Sequence, residues 1–306
     1  ETAKLDEITS IEKYTLQPNS MQVGFITNLK KILAAGEKRA LLISATGTGK
    51  TYASAFAMRE LGFRRVLFLV HRGQLARQTR KSYEKVFANT VSMGLVGAGY
   101  HEYEADYVFA TVQTLNRDEH LLQYAKDAFD CIVLDEAHHV PADTYRKIMD
   151  HFTPKLWLGM TATPDKRDDN VEGRNVYEIF NYQIAYEIRL QQAMEENLLC
   201  PFHYFGITDL SMIGDEEAAR DFNMLTSDER VRHIVNQADY YGYSGDKVKG
   251  LIFCSNIKET EELSAKFNQI INPATGKNFR TVALNGSASE QERQDAFERL
   301  AMNEDE

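Results

Sequence analysis

Ala45-Thr46-Gly47-Thr48-Gly49-Lys50-Thr51 follows the apolar run Ala40-Leu41-Leu42-Ile43 and opens the helix-length stretch Thr51–Leu61. In that order, strand, glycine turn and helix start build an anion cradle. The glycines let the backbone turn so tightly that successive N–H groups point into one hollow, and the helix start adds a partial positive charge. A lysine at position 50 can reach the outer phosphates of a nucleotide, and the Thr51 hydroxyl suits Mg²⁺. Thr46, Gly47, Thr48, Gly49, Lys50 and Thr51 are therefore the candidate nucleotide-binding residues. A general phosphate loop carries its first glycine six residues before the lysine, where this chain has Ser44.

The loop needs an acidic partner, and Cys131-Ile132-Val133-Leu134-Asp135-Glu136-Ala137-His138 supplies one 85 residues after Lys50. An apolar strand there delivers two adjacent carboxylates at its end. Asp135 is the candidate holder of the metal at the β,γ-phosphates, and Glu136 the candidate base that orients and deprotonates the attacking water. Alternation along a strand end lets neighbours face different tasks. The same pair could instead cap the next helix. His138 and His139 have no zinc-spaced cluster near them in the sequence, and a polar relay from the nucleotide site to the neighbouring strand is the role expected of His138.

Further out, short apolar runs alternate with amphipathic stretches. Strands are expected at Ala40–Ile43, Val66–Val70, Tyr107–Ala110, Cys131–Leu134 and Leu156–Met160, and helices at Thr51–Leu61, Gln74–Val86 and Ala142–His151. Continuous apolar strands separated by helices predict an α/β fold whose parallel sheet is covered on both faces. Leu251–Phe253 and Thr281–Leu284, with a helix near Glu259–Phe267, repeat the pattern and predict a second α/β unit. The boundary is set near residue 200, giving domains 1–199 and 200–306. Between them Ile207–Glu229 holds Asp209, Asp215, Glu216, Glu217, Asp221, Asp228 and Glu229 against Arg220 alone, which reads as a solvated surface segment.

Composition agrees with two globular domains: 306 residues, 43% hydrophobic and 26% charged. A net charge of −10 excludes wholesale electrostatic wrapping of nucleic acid and attraction to an anionic membrane, so any nucleic-acid contact must be local. One local surface qualifies: over residues 64–85, Arg64, Arg65, Arg72, Arg77, Arg80, Lys81 and Lys85 face a single Glu84, a net of +6. No apolar run nears the ~20 residues of a membrane span, and the first residues show no leader peptide. Cys131, Cys200 and Cys254 are scattered, as in reduced cytoplasmic proteins. The first residue is not Met, so the chain is expected to be a piece of a longer one.

Taken together, these motifs resemble superfamily 2 DNA/RNA helicases, in the DEAD/DEAH-box-like branch that includes restriction-enzyme motor subunits and excision-repair helicases. The likeness runs from about residue 14 to 300. It implies two RecA-like P-loop domains, the second incomplete, with ATP and Mg²⁺ as cofactors, DNA more than RNA as the partner, and further domains or subunits. It also implies individual roles. Gln22, after Pro18, would read adenine, although Pro-Asn-Ser-Met-Gln is longer than the common form of that motif. Thr161 and Thr163, in Gly159-Met160-Thr161-Ala162-Thr163-Pro164, would couple hydrolysis to strand movement. Arg72 and Gln78 in the stretch from Phe68, and Thr111 and Gln113 in Ala110–Leu115, would contact the nucleic-acid backbone. Gly250–Ser255 and Asn285-Gly286-Ser287 with Arg293 resemble motifs of the second domain, and closure of the two domains on ATP would drive movement. The superfamily's last two motifs, with the arginines that reach the γ-phosphate, would follow Leu300, which predicts ATP binding with poor hydrolysis for these 306 residues. A P-loop kinase or small-substrate ATPase would explain the loop and Asp135 but not Thr161-Ala162-Thr163, and a non-catalytic nucleic-acid-binding module of a larger complex would not need Lys50, Asp135 and Glu136 together.

Overall fold

Val66-Leu67-Phe68-Leu69-Val70 has no polar residue and every one of its side chains is buried, which places the strand between two covering layers. The computed structural model describes residues 16–88, 90–140, 143–164, 175–207, 225–242, 249–273 and 275–301. Contacts divide the chain into two units, Glu1–Pro201 and Phe202–Glu306.

The first unit holds β1 (Arg39–Ser44), β2 (Val66–Val70), β3 (Met93–Gly97), β4 (Tyr100–His101), β5 (Tyr107–Thr111), β6 (Cys131–Asp135), β7 (Leu156–Thr161) and β8 (Ile184–Ile188). They form one sheet in the order β4-β3-β5-β2-β6-β7-β1-β8. Every neighbouring pair is parallel except β3 and β4. Pleat alternation splits each strand between two cores. Val66, Phe68 and Val70 pack with Phe25, Phe56 and Tyr83 from α1 (Ser20–Ala34), α2 (Lys50–Leu61) and α3 (Gly73–Phe87). Leu67 and Leu69 pack on the other face with Leu115, Leu121, Tyr145 and Ile148 from α4 (Val112–Leu115), α5 (Asp118–Leu121) and α6 (Asp143–His151). The five expected strands and three expected helices of this unit all form. Two short helices, α7 (Val176–Ile179) and α8 (Leu190–Glu195), flank β8.

Strand β3 and helix α1 are among the elements that escaped the sequence pattern, whereas Tyr177–Glu195, read as a strand and helix closing the first unit, holds β8 and α8. Strand β3 contains glycines because the backbone is crowded: a Cβ on Gly94 would lie 2.7 Å from Glu102 Cβ. Helix α1 starts with a capping box, in which Gln22 N–H donates to Asn19 Oδ1 and Asn19 N–H donates to Gln22 Oε1, both at 2.9 Å.

In the second unit, α9 (Asp228–Tyr241) and α10 (Ile257–Phe267) bury Val231, Val235, Leu263 and Phe267 together. Glu259, buried, accepts from Ser255 N–H at 2.8 Å and pairs with Arg230 at 3.2 Å. A third helix, α11, spans Glu290–Ala301. Leu251–Phe253 and Thr281–Leu284, expected as strands, join no sheet among the described residues, and Phe253 is 93% exposed. A strand is held by its neighbours' hydrogen bonds, and neither segment has a paired neighbour here. Most of the acidic stretch, 208–224, lies outside the described residues. Among the described residues no helix is long and apolar enough to cross a membrane.

Parallel strands bring their carboxyl ends to one edge of the sheet, where ligands of open α/β folds gather. The loops after β1, β7, β6, β2 and β5 all emerge on that edge.

Candidate nucleotide and nucleic-acid site

After β1 the chain turns through Gly47 and Gly49, both at φ 91°, and Gly49 starts α2 in the left-handed region that glycine tolerates. A side chain would also have to displace the ends of neighbouring ones: a Cβ on Gly47 would lie 2.9 Å from Leu199 Cδ2, and one on Gly49 2.9 Å from Gln22 Nε2. Ser44 explains its own departure from the general loop. Its hydroxyl hydrogen-bonds the Thr48 hydroxyl, which in turn donates to Ala45 O at 2.7 Å, bracing the loop from within. Thr46 is exposed at the tip and Thr48 is buried.

Lys50 folds back over the loop, its Nζ donating to Ser44 O at 2.9 Å and Ala45 O at 3.4 Å. Burial holds its pKa below the ordinary lysine value, while the Asp135 and Glu136 carboxylates pull the other way. Thr51 follows in the first turn of α2. Gln22 is buried, and its Nε2 donates to Gly49 O at 3.2 Å. Its carboxamide thus ties α1 to the loop, and a nucleobase would have to exchange one of these bonds.

Two strands away, beyond β7, β6 ends at Asp135. Burial first and the Glu136 charge second push the Asp135 carboxyl up to about 6, with the Glu136 N–H bond at 3.1 Å and Lys50 opposing. A hard carboxylate oxygen within electrostatic reach of Lys50, in need of positive charge beyond one lysine, is chemistry that suits a divalent cation. Glu136 sits at φ 51°, ψ 51°, a left-handed conformation unusual for a non-glycine residue. Its carboxylate is half-exposed. His138 Nδ1 lies 3.3 Å from Glu136 Oε2 and 3.0 Å from Thr161 Oγ1 at the end of β7. Thr163 N–H donates to the same Thr161 oxygen at 3.1 Å. Glu136, His138, Thr161 and Thr163 therefore form one polar chain.

The Asp135 shift yields a prediction without nucleotide. Between pH about 4 and about 6 the folded state binds more protons than the unfolded, so stability falls as pH rises through that window and the cost stands in full above it. Asp135→Asn removes it. With metal chelated, the variant should melt roughly 5 °C higher at pH 7.5, from about 2 kcal/mol, and match the wild type at pH 4. Thermal melts across that range measure it; equal melting at pH 7.5 would show that the site bears no such cost.

The nucleic-acid candidates are less uniform. Arg72, exposed, is the residue before α3, and Gln78 is exposed further along it. Gln113 is exposed after β5, but the Thr111 hydroxyl caps α4, accepting from Thr114 N–H at 3.1 Å and donating to Thr114 Oγ1 at 2.9 Å. The seven-cation surface is split. Arg64 and Arg65 precede β2, where both backbone N–H groups bond Asp130 Oδ2 and the Arg65 guanidinium lies over Phe129. A five-residue strand of about 17 Å separates them from Arg72. Arg80 is engaged by Glu84 at 2.9 Å and Glu102 at 3.5 Å. Adding charges along the sequence overlooked both the strand's length and Glu102, an acidic partner outside the counted stretch. Ser44 escaped sequence reasoning as a bracing residue, since its only signal was the missing glycine.

Residues 15–166 match the family described as Type III restriction enzyme, res subunit. The chain is 28% identical over 277 residues to the Type I restriction enzyme EcoAI endonuclease subunit of Escherichia coli, covering 80% of this chain and 33% of that one. It is 27% identical over 158 residues to the DNA 3'-5' translocase XPB2 of Sulfurisphaera tokodaii, covering 51% of this chain and 33% of the relative. The structure of the ATP-dependent Type ISP restriction-modification enzyme LlaBIII bound to DNA superposes with a TM-score of 0.57 at 18% identity, over 84% of this chain and 22% of that one. The chain spans about a third of the length of these curated relatives. Residues 15–166 therefore match the type III restriction enzyme res-subunit family, and the eight-stranded, mostly parallel sheet of the first unit shares its fold with the LlaBIII structure.

Proposed function

We propose that this chain is the nucleotide-binding core of an ATP-dependent nucleic-acid helicase or translocase. The observation that carries this reading is the shared sheet edge on which the phosphate loop, Asp135–Glu136, Thr161–Thr163 and Arg72 follow four parallel strands. The names of the relatives support it: one is a restriction-enzyme subunit and another a DNA translocase. DNA is the favoured track.

In this reading Lys50 leaves Ser44 O for the outer phosphates, and the N–H groups around Gly47 and Gly49 cradle them. Thr51 and Asp135 hold Mg²⁺. When bound, the metal neutralises charge on the β,γ-phosphate oxygens. Glu136 orients the attacking water and takes its proton, and His138 ties Glu136 to Thr161 and so to Thr163. Gln22 contacts the adenine. Arg72, Gln78 and Gln113, with backbone groups near Thr111, grip phosphates, a mode that gives weak sequence preference. Cys131, Cys200 and Cys254 are unpaired thiols, in keeping with a reducing cytoplasm.

The test is ATP turnover by the full-length protein with single- and double-stranded DNA and RNA. Turnover should rise at least ~10-fold with the preferred polynucleotide, and the stimulation should fall steeply between about 50 and 200 mM salt. Turnover indifferent to every polynucleotide would overturn the reading. The 306-residue chain alone should bind ATP but turn it over slowly, because an arginine finger is worth ~10³–10⁵ in rate; several turnovers per second would contradict this.

A further inference from the structure

The chain from Glu136 to Thr163 does not end the polar connections of this edge. The His138 and His139 rings lie 4.2 Å apart between centroids. His139 meets His71 edge-on at 4.3 Å and 73°. His71 Nε2 in turn hydrogen-bonds Tyr145 Oη at 2.9 Å. His71 directly precedes the exposed Arg72 that opens α3, whereas His138 touches Glu136. Three histidines and a tyrosine thus bridge the loop after β6, the loop after β2 and helix α6.

Tyr145 tells this array apart from ordinary packing. Its ring is 1% exposed, among Val140, Ile148 and other apolar side chains. Phenylalanine would fill that space without burying an oxygen, and a buried hydroxyl stabilises only if it is bonded. Its bond goes to the imidazole next to Arg72. The hydroxyl therefore fixes the ring that separates the carboxylate loop from the phosphate-gripping loop. Glu136 also lies close enough to affect the protonation of both His71 and Tyr145.

We propose that His71, His139 and Tyr145 are positioning residues that set the register of the Arg72 segment against the Glu136–His138 loop, so that nucleic-acid contact at Arg72 accelerates hydrolysis at Glu136. The proposal rests on the motor reading above. Movement of Arg72 toward a phosphate shifts His71. His71 bears edge-on upon His139 and, through it, upon the loop that aims Glu136. Tyr145, anchored in the core, is the fixed post against which that displacement is felt.

The experiment uses Tyr145→Phe in the full-length protein, with ATP turnover measured over a DNA titration. Turnover without DNA and the half-saturating DNA concentration should stay at wild-type values, and the melting temperature should fall by no more than the few degrees one hydrogen bond is worth. The maximal stimulation should fall about fivefold, the size expected for one hydrogen bond. A merely structural role would move turnover and melting together instead. His71→Asn should also lower stimulation, and the double variant should be no worse than the poorer single one, as for residues acting as a unit. If the wild type is stimulated and Tyr145→Phe is stimulated equally, the array is packing alone and the inference falls. If no polynucleotide stimulates the wild type, the motor reading fails first and takes this inference with it. Should Tyr145→Phe not fold, His71→Asn alone decides: full stimulation overturns the proposal.

Discussion

Glu136→Gln in the full-length protein is expected to keep nucleotide affinity and lose at least ~10³-fold in turnover, within the range a positioned general base contributes. Glutamine keeps the shape of the side chain and an oxygen that can face His138, so the 3.3 Å approach to Nδ1 and the link to Thr161 survive. It cannot take a proton from water. The left-handed backbone at φ 51° aims this side chain whatever its head group, so the variant isolates basicity from position. A second consequence separates this role from a structural one. Glu136 is among the causes that raise the Asp135 carboxyl, so removing its charge lowers Asp135 toward the ordinary range and leaves it more fully ionised at neutral pH. Metal-dependent nucleotide binding should then be equal to or tighter than wild type. Equilibrium titration with a fluorescent nucleotide and single-turnover hydrolysis measure the two halves. Unchanged turnover would strip Glu136 of its role, and lost affinity would make it a binding residue.

Much of the first unit was legible because its strands are buried on both faces. Val66–Val70 and Cys131–Leu134 carry uninterrupted apolar runs, and only a covered parallel sheet makes such runs soluble. The phosphate loop was legible for a different reason, since tight turning demands glycine at positions 47 and 49. The capping box of α1 was present as Asn19 and Gln22 but was read only as a nucleobase motif. Strand β3 was hidden by Gly94 and Gly97, which serve close backbone approach rather than burial. Charge counting failed along residues 64–85 because sequence neighbours on either side of a strand end at opposite edges of the sheet. In the second unit, Leu251–Phe253 has the composition of a core strand, but composition does not supply the hydrogen-bonded neighbours a strand requires. The array of His71, His139 and Tyr145 left no sequence signal. A tyrosine at an apolar helix position reads as core, and only coordinates reveal where its hydroxyl points.

Lys50→Ala is expected to weaken nucleotide affinity by ~100-fold or more, about 3 kcal/mol, the scale of a charge-assisted bond to phosphate in a partly dry site. In the nucleotide-free chain the ammonium is held by two carbonyls, Ser44 O and Ala45 O, and attracted by Asp135 and Glu136. Burial opposes its charge, so the free protein gains little net stability from it. Its removal should leave the nucleotide-free melting temperature within a few degrees of wild type and abolish the rise that ATP and Mg²⁺ cause, since ligand stabilisation follows affinity by mass action. Lys50→Arg should not restore binding. A planar guanidinium is larger than an ammonium, and the Ser44–Thr48 brace leaves the loop little room to widen. Nucleotide titration of the three proteins, read beside their melting curves, checks both statements. A Lys50→Ala protein that binds ATP as tightly as wild type would mean that phosphates are not held in this loop, and the roles given to Thr51, Asp135 and Glu136 would have no ligand to act on.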